Sequence, residues 1–295
     1  MTSPSSRTAR IVTTVKPEKI LIAMSGGVDS SVAALLLSEA GCECVGATMR
    51  LFHNEDAGVS REKSCCSLED VEDARSVAYQ LSMPFYVFNF TDGFGEQVMD
   101  RFVDAYERGA TPNPCIDCNR YMKFAKLVER AELLGCDAVA TGHYARIEQE
   151  NGRWLLKKAV DDSKDQSYVL YNFTQEQLAH TLMPLGGYNK DWVRQKAEEL
   201  GLGVAHKPDS QEICFVEDDD YAKFITDYSG YKPKEGDILD VNGNVIGKHR
   251  GLIYYTIGQR KGIGAYGRPM FVMKIDAENN TITLGEKGME FSNEL

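Results

Sequence analysis

Three groups of residues in this 295-residue chain have types and spacing suited to chemistry. The first is Ser25-Gly26-Gly27-Val28-Asp29-Ser30-Ser31. Two glycines let the backbone approach a ligand closely, and a helix starting there offers unpaired N–H groups and a positive dipole end to phosphates. The serines add hydroxyl donors. The run is not a Walker A loop, since no Gly-Lys-Ser/Thr follows. The second group is Thr111-Pro112-Asn113-Pro114-Cys115-Ile116-Asp117-Cys118. Its prolines stiffen the loop. Cys118 is read as standing at a helix start, where the dipole with Arg120 and Lys123 favours a thiolate. A lone Cys-x-x-Cys fits a redox pair, half a zinc site or iron–sulfur ligation equally well. The third is Cys214, in the segment DSQEICF, which adds a further thiol.

The elements that must position these groups are legible in outline. Residues 19–24, 43–49, 85–90 and 137–141 are short apolar runs suited to buried strands. Helical stretches lie between them: one ends at Gly41, one opens with a capping-box pair at Ser67 and Asp70, and one covers residues 119–134. Alternating strand and helix implies a parallel sheet with right-handed crossovers, an α/β fold, whose ligands sit at the carboxyl ends of the strands. Both Ser25–Ser31 and the Thr141-Gly142-His143 turn fall there. After about residue 208 the pattern changes to short strands and turns. Asn242-Gly243 marks a hairpin, and residues 271–287 read as strand, polar turn, strand. The expected organisation is a flexible tail (1–18), an α/β catalytic domain (19–215), a small β-rich domain (216–287) and the start of a missing C-terminal domain (288–295).

Composition narrows the function classes. Lys plus Arg total 33 against 44 Asp plus Glu, a net charge of −11. Binding to nucleic acid by bulk basicity is excluded, so any such contact uses local basic groups. No apolar run approaches the length of a membrane span. Eight cysteines in a long chain without an apolar leader point to a reducing compartment, and a cytoplasmic location is expected. Cys42, Cys44 and Cys136 lie in or beside core elements and read as small apolar residues. Cys65 and Cys66 fit near-site loop thiols and half-buried structural residues equally well.

The loop 25–31 resembles the PP-loop of the ATP pyrophosphatases, which cleave ATP between the α and β phosphates to adenylate a substrate. On that resemblance Asp29 helps to hold Mg²⁺. Over residues 19–287 the chain also resembles the bacterial tRNA-specific 2-thiouridylases. The segments that carry this are MSGGVDSS, GATPNPCIDCNRYMKF, ATGHYAR, KDQSYVLY, KPDSQEICF and GLIYYTIGQRKGIG. The resemblance implies a PP-loop α/β domain, a small central domain, and thiolation of the tRNA wobble uridine. It implies an ATP cradle of Ala23, Met24, Ser25, Gly26, Gly27, Val28, Asp29 and Ser30, with Met49 and Gly142 bordering the adenosine. Asn113, Pro114 and Cys115 would touch the target base, Cys118 would be the nucleophile, and Cys214 would carry a persulfide. His143, Lys164, Asp165 and Gln166 would contact tRNA. Arg260 and Lys261 form a basic pair suited to phosphates. A cysteine desulfurase relay would supply the sulfur.

Two departures from the family pattern stand out. Many members carry Asp at the position of Cys115. With Cys118 and Cys214 it makes a three-thiol set able to ligate a [4Fe–4S] cluster with one open iron position, so sulfur travels either as a persulfide or on a cluster. The family's C-terminal β-barrel is also expected to be absent, the chain ending about where it would begin. Two rivals remain at this level: an AMP-forming ligase on the same fold, needing neither thiol nor tRNA, and a nucleotide-responsive tRNA-binding module without catalysis.

Overall fold

The computed structural model describes residues 17–52, 68–208 and 213–289. The N-terminal tail, Cys65, Cys66, the Ser67 half of the expected capping box and the last six residues lie outside them. Among the described residues no helix is long and apolar enough to cross a membrane. The chain divides into two compact units.

The first unit contains residues 17–52, 68–94 and 115–208. Its centre is a five-stranded parallel sheet in the order β3-β2-β1-β4-β7. These strands are β1 (Lys19–Ala23), β2 (Glu43–Arg50), β3 (Phe85–Asn89), β4 (Ala138–Ala140) and the short edge strand β7 (Thr181–Leu182). β1 is buried on both faces. Ile20 and Ile22 join one core with helix α1 (Val28–Glu39), while Leu21 and Ala23 join another with Leu127 and Ala131. That is why the strand reads as a continuous apolar run rather than an alternating one. Helix α2 (Leu68–Gln80) leads from β2 to β3. The chain then crosses to the other side of β1, so the winding reverses between β1 and β4. Such a reversal opens a crevice at the strand ends.

Residues 114–133 form one continuous helical stretch, with a π-helical middle (Cys118–Lys126) and a regular end, α3 (Leu127–Leu133). It starts at Pro114, five residues before the expected residue 119. Proline suits a first helical position because its missing N–H would be unpaired there anyway. Two further elements were not expected. β5 (Ala145–Glu150) and β6 (Arg153–Lys158) form an antiparallel hairpin, turned by Asn151 (φ 49) and Gly152 (φ 79). The Asn-Gly signal for it was present in the sequence. Helix α4 (Lys190–Glu199) begins at Asn189, whose side chain caps it.

The second unit contains residues 95–114 and 213–289. Its sheet runs β10-β11-β8-β9, built from β8 (Gly236–Leu239), β9 (Val245–His249), β10 (Phe271–Asp276) and β11 (Thr281–Gly285). Both expected hairpins are present, and β8 and β11 pair in parallel between them. The unit is not contiguous in sequence, unlike the segments 19–215 and 216–287 expected above. Phe102, on the helix Arg101–Glu107, packs edge-on to Phe215 with ring centroids 5.4 Å apart. It also meets Phe224 of helix α5 (Tyr221–Ser229) at 5.9 Å. This aromatic cluster ties residues 95–114 to the later segment.

Candidate active site

The loop after β1 turns directly into α1. Gly27 is the residue before the helix and supplies no side-chain cap, so the first N–H groups of a twelve-residue helix have no side-chain acceptor from that position. Gly26 is held at φ 73, and an added Cβ would lie 2.3 Å from the carbonyl oxygen of Asp70 on α2. Glycine is required there for both reasons. Among the described residues, a Cβ on Gly27 would meet only Ser25 Oγ within contact distance, at 3.6 Å, and that side of the loop is open to them.

The serines have unequal roles. Ser25 N–H donates to Ser30 Oγ at 3.2 Å, and the Ser30 hydroxyl donates to the Gly27 carbonyl at 3.1 Å, which closes the loop. Ser31 is fully buried, and its hydroxyl also donates to Gly27 O, at 2.9 Å. Ser31 thus braces the loop rather than facing a ligand. Ala23, Met24 and Val28 are buried. Met24 N–H donates to Ala47 O at 2.8 Å and its carbonyl accepts from Thr48 Oγ1 at 2.7 Å. These residues shape the cradle and leave donation to the loop backbone. Met49 is half-buried against the core on the α3 side.

Gly142, after β4, abuts the loop: a Cβ there would lie 2.8 Å from Asp29 C and Ser30 N. The strand ends on either side of the reversal therefore meet, as the motif positions implied. His143 follows, its Nδ1 2.8 Å from Thr141 Oγ1 and its ring 6.0 Å from that of Phe124. Burial, and then the positive charge of Lys123, hold the His143 pKa well below its ordinary value, so the imidazole is neutral near pH 7.

Asp29 is the centre of a network that the sequence did not disclose. Lys190 Nζ donates to both its carboxylate oxygens, at 2.7 and 2.8 Å, and the Tyr144 hydroxyl donates to Oδ1 at 2.8 Å. The loop containing Lys164-Asp165-Gln166 supports both donors. Gln166 Oε1 accepts from Tyr144 N–H at 3.0 Å, and Gln166 N–H donates to Tyr144 O at 2.8 Å. Asp161 Oδ2 accepts the Lys190 backbone N–H at 3.0 Å. Asp165 turns inward, accepting Ala159 N–H at 2.8 Å and the Ser167 hydroxyl at 2.7 Å. Burial would raise the Asp165 pKa, but these bonds outweigh it and hold the carboxyl below its usual range. Lys164 is half-buried, its N–H on Asp161 O.

The thiols divide between the units. Cys118 is buried on the helical stretch 114–133, and Cys115, one turn earlier, is exposed; both belong to the first unit. With the helix starting at Pro114, it is Cys115 that lies in the first turn, while Cys118 begins the π-helical part. Helical π segments are frequent at functional sites. The unit boundary falls between Pro114, buried, and Cys115; Asn113, exposed, belongs to the second unit. Cys214 is half-buried in the second unit, beside the aromatic anchor Phe215. Arg260 and Lys261 are exposed there, on a turn stitched by Gln259, whose Nε2 donates to Lys261 O at 2.8 Å. Cys44 is buried, which with neighbouring Cys42 raises its pKa to about 11, and burial also raises Cys136, in keeping with structural roles.

The fit to the implied groups differs. A triphosphate suits the open N–H groups of the loop. Mg²⁺ commonly binds through one carboxylate and substrate phosphates. The donor set fits it only if Asp29 is shared with Lys190. A [4Fe–4S] cluster needs three gathered thiols. Among the described residues no three His, Cys, Asp or Glu side chains are grouped so as to hold a metal. Of the three thiols, Cys115 and Cys118 belong to the first unit and Cys214 to the second.

Comparison with known proteins agrees with this geometry. The family model described as tRNA methyl transferase HUP domain matches residues 18–218, and the tRNA methyl transferase PRC-barrel domain matches residues 222–286. A tRNA-specific 2-thiouridylase MnmA of Clostridioides difficile is 55% identical over 281 residues, covering 94% of this chain and 78% of that one. Proteins of the same name from Acetivibrio thermocellus and Clostridium acetobutylicum are each 54% identical, over 94% of this chain and 79% of their own length.

Proposed function

The chain belongs to the MnmA family of tRNA-specific 2-thiouridylases, and we propose that it activates a tRNA wobble uridine with ATP and replaces the C2 oxygen by sulfur. The observation that carries the nucleotide half is the glycine loop at the winding reversal, open among the described residues on the Gly27 side and closed by Ser30. Residues 23–30 cradle the phosphates, with Met49 and Gly142 beside the adenosine. The uridine C2 oxygen attacks the α-phosphate, the α–β bond breaks, and pyrophosphate leaves with its electron pair. The loop N–H groups and α1 stabilise the charge that develops on it. Mg²⁺, when bound, neutralises pyrophosphate charge.

Adenylation turns the C2 oxygen into a leaving group. The terminal sulfur of a Cys214 persulfide bonds to C2, and the C2–O bond breaks to release AMP. The Cys118 thiolate then attacks Cys214 Sγ, and the sulfur–sulfur bond breaks with its electrons left on the uridine sulfur. The enzyme is left as a Cys118–Cys214 disulfide, which an external dithiol reduces. A cysteine desulfurase or relay protein recharges Cys214. Asn113, Pro114 and Cys115 border the base; Lys164, Arg260 and Lys261 meet tRNA phosphates; Asp165 and Gln166 support them. The phosphate loop and the Cys118 and Cys214 thiols favour sulfur transfer over the methyl transfer named in the family description. The test supplies tRNA, ATP and a persulfide donor, then digests the tRNA to nucleosides. The expected products are 2-thiouridine, AMP and pyrophosphate; ADP, or unmodified uridine with ATP consumed, overturns the reading.

A further inference from the structure

Lys190 stands where a lysine is electrostatically costly. It is 7% exposed, although lysine is seldom buried without a strong reason. It is the first residue of α4, and its ammonium reaches a carboxylate in the first turn of α1, so the N-terminal ends of two helices both oppose its charge. Asp29 offsets that opposition, but the pair does not serve core packing alone, because the Asp29 side chain is 32% exposed while that of Lys190 is 8% exposed. The ammonium thus lies at the inner wall of the open phosphate loop, oriented from behind by Asp161 through its own backbone N–H.

We infer that Lys190 is a further nucleotide-site residue, a built-in cation for the pyrophosphate portion of ATP that competes with the divalent metal for Asp29. The inference rests on the ATP reading given above. Without nucleotide, Asp29 neutralises the ammonium and holds it beside the loop. When a triphosphate arrives, its oxygens offer Lys190 a second anionic partner, and Asp29 becomes available to a metal. Tyr144 keeps the Asp29 carboxylate oriented through this exchange. ATP then has two routes of charge compensation, one through the metal and one through Lys190.

The experiment measures binding of α,β-methylene-ATP, which resists α–β cleavage, to the full chain by calorimetry, with Mg²⁺ and with excess chelator. Lys190→Met is expected to weaken metal-free binding by about tenfold or more, the scale of one charge-assisted hydrogen bond. It is expected to weaken Mg²⁺-supported binding distinctly less, because the freed Asp29 carboxylate then serves the metal. Lys190→Arg should restore metal-free binding. A merely structural role would lower both affinities in parallel and leave their ratio unchanged, which would overturn the inference. If Lys190→Met fails to fold, Lys190→Gln keeps the test: a neutral donor beside Asp29 should weaken metal-free binding more than Mg²⁺-supported binding, and an equal loss under both conditions counts against Lys190. Absence of nucleotide binding by the wild-type chain would instead sink the ATP reading itself.

Discussion

Cys118 and Cys214 are assigned sulfur chemistry, whereas the phosphate loop carries none of it. Replacing either thiol with serine should therefore stop 2-thiouridine formation and leave adenylation of tRNA, followed as pyrophosphate release, largely intact. Full thiolation by either variant would remove the assignment. Asp29 behaves differently, because it has two partners. Asp29→Ala leaves the Lys190 ammonium in its buried place without its carboxylate. The expected cost is about 2 kcal/mol, near the low end for a broken buried pair because water reaches the Asp29 side. Asp29→Asn keeps an acceptor for Lys190 and should melt closer to wild type. Both should lose AMP formation. Equal melting temperatures for wild type and Asp29→Ala would show that the pair contributes little to stability.

The loop between β1 and α1 and the turn after β4 act as elements, since each is fixed by its neighbours. Gly26→Ala places a methyl group 2.3 Å from an α2 carbonyl oxygen at φ 73. It should cost about 1–2 kcal/mol from backbone strain alone, and more from displacing α2. Among the described residues Gly27→Ala meets only Ser25 Oγ, so it should fold nearly as wild type while its methyl group crowds the loop and weakens ATP binding. Thermal melts and ATP titrations of the two variants should thus separate fold from function; similar losses of stability in both would contradict the loop geometry. For His143, burial and Lys123 depress the folded pKa from 6.5. The unfolded chain then binds a proton that the folded chain resists, so stability is lost as pH falls from about 6.5 toward the folded pKa. The wild-type melting temperature should fall more steeply between about pH 7 and 5.5 than that of His143→Gln. Parallel profiles would mean that His143 titrates normally in the fold.

At the scale of the whole molecule, a net charge of −11 works against a polyanionic substrate, and tRNA affinity must come from local cations. Arg260 and Lys261 are exposed on a turn pinned by Gln259, a mount for the two cations proposed to meet tRNA phosphates. Replacing both with glutamine should weaken tRNA binding and make the dependence of log K on log salt shallower by about one to two, roughly one for each phosphate no longer neutralised. A salt titration of tRNA binding checks this, and an unchanged slope would remove the pair from the interface. ATP binding without tRNA should be unaffected.

Features carried by neighbouring residues were open to the sequence. The apolar runs of β1 and β2, the glycine turn into α1, and the hairpins around Asn242-Gly243 and residues 271–287 each depend on local pattern or on residue type. The β5–β6 hairpin is equally local, and its Asn151-Gly152 turn is a signal of the same kind. The network around Asp29 was not legible. Lys190 lies 161 residues from Asp29, in a helix that the sequence did not suggest, and Tyr144 lies 115 away, just after the turn that follows β4. Which carboxylate a lysine pairs with depends on burial and on the path of the backbone between them, and neither is written in local pattern. The same holds for residues 95–114, for which the sequence suggested no element and which join the second unit where Phe102 meets Phe215 and Phe224. Local preference selects elements and displays reactive groups, whereas partners remote in sequence are chosen by the packing that excludes water between them.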